Sequence, residues 1–181
     1  IGISGAFTSL ETDGTETTKS SGELNTKSED ERVIVPSVFV EFQRDNGFAI
    51  GIDYVPAEAE LGSGTGSDDD AETSGANKAS AEIVDHFTVY ALMPFGDQGA
   101  YFKAGVAQAT IDTTETLATG TTYGNEDVNG IMVGIGVNKT AANGAFFRTE
   151  LTRTDYEEVT FLGSFNGNAA GDSAVRNKVD A

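Results

Sequence analysis

Seven stretches of this chain alternate apolar and polar residues one by one: residues 1–12, 32–45, 48–60, 82–95, 100–112, 128–138 and 145–156. A period of two is that of a strand, whose successive side chains point to opposite faces of a sheet. The joints between the stretches alternate as well. Residues 13–30, 61–80 and 113–127 form long polar connections, whereas Asn46-Gly47, Gly96-Asp97-Gln98-Gly99 and Thr140-Ala141-Ala142-Asn143-Gly144 form short ones. Asn-Gly tolerates the positive φ values of a type I′ turn, so the first short joint is a strong hairpin signal. The pattern predicts antiparallel strands joined as successive hairpins, with every tight turn at one end and every long connection at the other. No stretch holds a sustained helical period.

Sorting each stretch by parity gives two chemically distinct columns. One is apolar and free of charge: Ile34, Pro36, Val38, Val40 and Phe42; Phe48, Ile50, Ile52 and Tyr54; Phe87, Val89, Ala91, Met93 and Phe95; Phe102, Ala104 and Val106; Ile131, Val133, Ile135 and Val137; Phe147, Thr149 and Leu151. The other mixes Gly, Ser and Thr with isolated charges of both signs. A soluble barrel would turn the apolar column inward and place charge outside. Here the inverse fits better, because an uncharged column about four or five residues deep suits strands of about nine to eleven tilted residues crossing a bilayer. Together with the asymmetry of turns and connections, this predicts an all-β, antiparallel, up-and-down transmembrane β-barrel inserted from the tight-turn side.

The second column then lines the interior, where its charges are Glu41, Asp53, Lys103, Arg148 and Glu150, with Gln43, His86 and Tyr90 on the same face. Buried ions cost several kcal/mol each unless paired and hydrogen-bonded, so these five must form a network. Lys103 and Arg148 are each expected to pair with one or more of Glu41, Asp53 and Glu150. Gly51, Gly105, Gly134 and Gly136 would leave room for the longer side chains. Near the tight turns, Phe42, Phe48, Phe95, Tyr101, Phe102, Phe146 and Phe147 suggest an aromatic girdle at one membrane interface.

Composition narrows the partners more than the fold. The 181 residues carry no cysteine and a net charge of −18, with acid concentrated in the first two long connections. One domain is expected, without disulfides or a cysteine metal site. The charge argues against nucleic acid, which requires Lys and Arg to neutralise phosphates, and suits a solvated anionic face. The run Asp68-Asp69-Asp70 lacks the alternating ligands and closing glutamate of a calcium loop. No apolar run reaches the length of a membrane helix. No secretory leader opens the chain, as befits a mature chain after removal of a signal peptide.

The stretch Tyr101-Phe102-Lys103-Ala104-Gly105-Val106-Ala107 follows a short turn, and Val133-Gly134-Ile135-Gly136-Val137 and Phe147-Arg148-Thr149-Glu150-Leu151 flank another. With these motifs the chain resembles the small eight-stranded outer-membrane β-barrels of Gram-negative bacteria, the OmpA-like and opacity-type family. The resemblance covers nearly the whole sequence and implies a lumen filled by salt bridges among inward Lys, Arg and Glu. It implies outer-membrane lipid and lipopolysaccharide as surroundings, and the barrel-assembly machinery as a partner during insertion. One departure stands out: seven strands are counted where the family closes with eight. Residues 175–181 lack the apolar alternation ending in an aromatic residue that the family's last strand carries. The expectation is a truncation before the final strand, or a shorter pairing of these residues with the first strand.

Catalytic chemistry is sparse. Asp85-His86 beside Ser80 is the only candidate for a nucleophile and base, and a lone histidine at a strand mouth is more often a hydrogen-bonded rim residue. Gly62-Ser63-Gly64-Thr65-Gly66 leads into acid and not into a helix bearing Lys, so it is no phosphate cradle. No enzyme and no cofactor are expected. The readings that remain are a structural, surface-exposed outer-membrane barrel with a plugged lumen, a small low-conductance porin, and a soluble lipocalin-like ligand-binding barrel. In the first, the long acidic connections would face the medium, open to contacts with cell surfaces or phage.

Overall fold

A computed structural model describes residues 1–17, 24–68, 75–96, 98–116, 121–162, 164–165 and 174–180, and all regular structure among them is β. The strands are β1 (Gly2–Thr17), β2 (Leu24–Gln43), β3 (Ala49–Val55), β4 (Ala59–Asp68), β5 (Gly75–Phe95), β6 (Ala100–Thr116), β7 (Thr121–Thr122), β8 (Glu126–Thr140), β9 (Phe146–Tyr156), β10 (Val159–Leu162), β11 (Ser164–Phe165) and β12 (Ala174–Asp180). Ten of them form one antiparallel sheet in the order β1-β2-β3-β5-β6-β8-β9-β12-β10, with β4 paired to β5, while β7 and β11 pair separately. Neighbours in the sheet are thus mostly neighbours in sequence, as in a hairpin ladder.

The sheet curls into a half-barrel. Arg148 on β9 bonds Glu41 on β2 at 2.5 Å, yet β9 lies five places from β2 in the strand order. A flat sheet would hold those strands about 24 Å apart at about 4.8 Å per step, so only a concave sheet brings them into contact. On the concave side, alternate residues are buried: Ala49 and Val55 on β3, Tyr101, Ala107, Ala109 and Ile111 on β6, Val128 and Met132 on β8. On the convex side lies the apolar column, with Phe42, Val106, Ile131 and Leu151 each more than half exposed.

Three features depart from the sequence reading. The third stretch breaks at Pro56, which cannot donate to a ladder, and the chain resumes in β4 against the outer half of β5. The long polar connections are largely strand. β1 and β2 pair in register from Gly2↔Phe39 to Thr17↔Leu24, because a backbone ladder needs no apolar face to continue. The Asn46-Gly47 joint is not type I′, since Asp85 is the only described non-glycine residue with positive φ. Instead Gly47 (φ 82°) ends a three-residue loop closed by Gly47 N donating to Arg44 O and Arg44 N donating to Phe48 O. The turn at Ala141–Ala145 repeats this geometry, with Gly144 at φ 84°. Of the two expectations for the end of the chain, the shorter pairing with the first strand is the one seen: residues 174–180 form β12, which pairs with the outer half of β1 from Glu11↔Asp180 to Glu16↔Val175. Of the long connections expected at 13–30, 61–80, 113–127 and 163–180, residues 18–23, 69–74, 117–120, 163 and 166–173 lie outside the described residues.

A bulge in β5 matters for the interior. Val84 pairs with Thr110 and Phe87 with Gln108, so three residues of β5 span two steps of β6. Asp85 takes φ 51° at that point. The bulge resets parity, so that both Ile83 above it and Thr88, Tyr90 and Leu92 below it are buried inside.

Candidate functional site

The concave face carries a polar cluster at the tight-turn end and an apolar plug at the other. Strand β2 supplies Ser37, Phe39 and Glu41; β3 supplies Asp53; β5 supplies Tyr90; β6 supplies Tyr101 and Lys103; β9 supplies Arg148 and Glu150. Each is an inward position of its alternating strand. The Arg148 guanidinium donates two bonds to the Glu41 carboxylate, Nη1 to Oε1 at 2.5 Å and Nη2 to Oε2 at 2.8 Å. This fork-to-fork geometry is the strongest form of an ion pair. Lys103 Nζ donates to Glu150 Oε2 at 2.7 Å, and Arg148 Nη1 lies 3.7 Å from Glu150 Oε1. Four of the five charges predicted to face inward therefore form one alternating cluster. Asp53 joins a different chain of bonds: Ser37 Oγ donates to its Oδ2 at 2.7 Å and shares a 2.6 Å bond with Ser4 Oγ.

Two tyrosines complete the cluster. Tyr90 donates its hydroxyl to Glu41 and Tyr101 donates to Glu150, each at 2.6 Å. Their rings also face the cations, with Lys103 Nζ 4.2 Å from the Tyr90 centroid and Arg148 Cζ 5.4 Å from that of Tyr101. Phe39 and Phe146 flank the guanidinium at 5.5 and 5.2 Å. Such contacts between a cation and an aromatic face gain strength when water is excluded. Glycine makes the space: a Cβ on Gly51 would run into Glu41 and the Tyr90 ring, and one on Gly136 into the Tyr101 ring.

Above this cluster Leu10, Leu61, Ile83, Ala109, Ile111, Val128, Tyr156 and Phe161 pack together inside the curl. The sequence reading missed this plug. Ile83 falls on the inward side only because the β5 bulge resets parity, which no sequence period reveals, whereas Ala109, Ile111, Val128 and Tyr156 continue the inward parity of β6, β8 and β9 beyond the columns read from the sequence. The aromatic girdle needs correction too: Tyr101 is buried inside and Phe146 packs on Phe39 at 6.0 Å. Phe42, Phe95, Phe102 and Phe147 do face outward, with Phe95 and Phe102 stacked at 4.4 Å.

The Asp85, His86 and Ser80 set is not brought together. Asp85 accepts a bond from Tyr54 at 3.4 Å, His86 packs edge-on against Tyr156 at 6.2 Å, and Ser80 pairs across the sheet with Thr114 and Ser63. Among the described residues, no three His, Asp or Glu side chains group as a metal site. The arrangement holds charge in place and fills space. Comparison of the chain with protein-family models, curated proteins and solved structures finds no match.

Proposed function

We propose that this chain is an outer-membrane β-barrel of the small eight-stranded, OmpA-like kind, a structural and surface-exposed protein whose lumen is plugged by its own side chains. The observation that carries the reading is the convex face. Across β2, β3, β5, β6, β8 and β9, outward positions such as Val40, Ile52, Val89, Phe102 and Ile135 are exposed and apolar, while Glu41, Lys103, Arg148 and Glu150 lie inside; on β9 the outward column turns polar beyond Leu151, at the exposed Arg153–Asp155 pair. Monomeric soluble proteins seldom expose an apolar patch beyond a few hundred Å², and a soluble ligand-binding barrel would turn these columns the other way. Polar residues bound the belt: Arg44 and Lys139 towards the tight turns, Gln108 and Asn129 towards the other end.

In this reading lipid and lipopolysaccharide surround the belt, and the barrel-assembly machinery delivers the chain. The acidic strand extensions stand in the medium. Strand β1, with 16 residues, runs about 54 Å at about 3.4 Å per residue, well beyond an apolar band about 25 Å tall even when tilted. The bidentate Arg148–Glu41 pair and the apolar plug obstruct a water path, which favours a closed barrel over a pore. Single cysteines at Ile52 and Ile135, labelled with a fluorophore, test the assignment in vesicles containing brominated lipid. Strong quenching at both sites is expected. Unquenched labels, with recovery of the protein without detergent as a monomer, would overturn it.

A further inference from the structure

Strand β4 is an edge strand within the wall. It pairs with β5 from Ala59↔Ile83 to Asp68↔Gly75, and among the described residues it joins no second strand of the sheet. The strand facing it is β2 over residues 24–37, because β3 ends at Val55 and β4 resumes beyond Pro56 on the same side of β5. Carried one step further, the β2–β3 register of Val38↔Tyr54 would set Pro36 against Pro56. Neither proline offers an N–H, so the ladder stops there. A bulge between Glu60 and Gly62 then twists β4 aside. At Gly62 the two strands still approach, since a Cβ there would lie 3.5 Å from Glu29 Cγ, whereas a Cβ on Gly64 would meet nothing within 4 Å. A cleft therefore widens between β2 and β4 from Gly62 towards Asp68.

The two walls of the cleft are guarded differently. Proteins blunt exposed sheet edges with charge or proline, and β2 carries Lys27, Glu29, Asp30, Glu31 and Arg32 along this stretch. Residues 62–67 of β4 read Gly-Ser-Gly-Thr-Gly-Ser, with neither. Glycine within a strand often marks a place where another backbone comes close. Gly62 and Gly64 pair with Ala81 and Ala79, on the face that Ile83 turns to the apolar plug, so the concave side of this edge bears only small residues. We propose that the free side of β4 is a docking site for an extended peptide of another protein, which adds to the sheet as a strand through backbone hydrogen bonds. Charge selects the peptide. Beside the cleft the exposed Asp30, Glu31, Glu58 and Glu60 outweigh Arg32 and Lys78, and the whole chain carries −18. A second copy would be repelled; a segment with Lys or Arg turned outward and apolar residues turned to the plug is attracted. The inference goes beyond the membrane reading, because it rests on strand edges and charge and not on what surrounds the belt.

The test uses the full chain in detergent micelles and, as probe, a fluorescent peptide of alternating valine and lysine matched in length to the 10 residues of β4. Expected are saturable binding by fluorescence anisotropy and, at saturation, amide exchange in residues 64–67 slowed at least about tenfold. Two control peptides separate backbone from charge. With the amides along one edge N-methylated, the peptide keeps its charge and loses donors, and its affinity should fall at least about tenfold. With glutamate in place of lysine, it keeps its donors and should fall by at least about as much. Equal binding of either control would overturn the proposal, as would absence of binding or protection confined to another strand. Protection of residues 64–67 without any peptide would overturn it too. If lost on dilution, that protection assigns the edge to a second copy; if kept in the monomer, it shows β4 zipped onto β2.

Discussion

At the scale of single residues, the interior depends on pairs whose members are expensive to leave alone. Glu41 and Arg148 are each about one-tenth exposed. Replacing Glu41 by Ala strands a guanidinium in the curl, for which a loss of about 3–5 kcal/mol is expected. The double variant Glu41→Met/Arg148→Met removes both charges and should lose clearly less, as urea unfolding in phospholipid vesicles would measure. A loss in the double variant equal to the sum of the losses in Glu41→Met and Arg148→Met alone would mean the pair is not coupled. Gly136→Ala is a sharper probe of space: its new methyl displaces the Tyr101 ring and with it the bond to Glu150. A cost of about 1–3 kcal/mol is expected in the same assay, as for other overpacked positions. The five charges were legible in the sequence because they all stand on the column opposite the uncharged apolar one. Their partners were less so. Which carboxylate meets which cation depends on curl and register, and the hydroxyls of Tyr90, Tyr101 and Ser37 give no periodic signal.

At the scale of elements, period and turn residues foretell most strands but not their interruptions. Strands β6, β8 and β9 keep one parity throughout, and their columns were readable directly. Strand β5 does not. The residues 84–86 look like ordinary alternation, yet Asp85 sits at φ 51° and reverses the inward face. A carboxylate residue visits that region more readily than most, whereas a β-branched one is strained there. Asp85→Val should therefore cost about 1–3 kcal/mol and Asp85→Gly little, by thermal unfolding in detergent. Equal tolerance of both would deny the bulge. The polar ends of β1, β2, β4 and β5 were read as loops because neither column there is apolar. Backbone pairing extends them regardless, with Thr and Ser on both faces.

For the whole molecule, the distribution of solvent preference decides the outcome of a mutation far from any site. Ile135 is half exposed on the convex face. In a membrane barrel, Ile135→Arg near the middle of the belt should cost about 2–4 kcal/mol, measured by reversible unfolding in vesicles, whereas at a soluble surface the change would stay within about 0.5 kcal/mol. Planar-bilayer recordings of the wild type are expected to show no steady channels, given the plug above the charge cluster. How fast the chain reaches this state has its own chemical record. Asparagine deamidates when the amide nitrogen of the next residue attacks its side-chain carbonyl, and glycine obstructs that attack least. At both Asn-Gly turns the folded chain occupies the participants: Gly47 N and Gly144 N donate to Arg44 O and Ala141 O, while Asn46 Oδ1 and Asn143 Oδ1 accept from Phe48 N and Ala145 N. A chain kept waiting unfolded has no such restraint, so the two hairpin turns serve as clocks that run only before folding and are stopped by it.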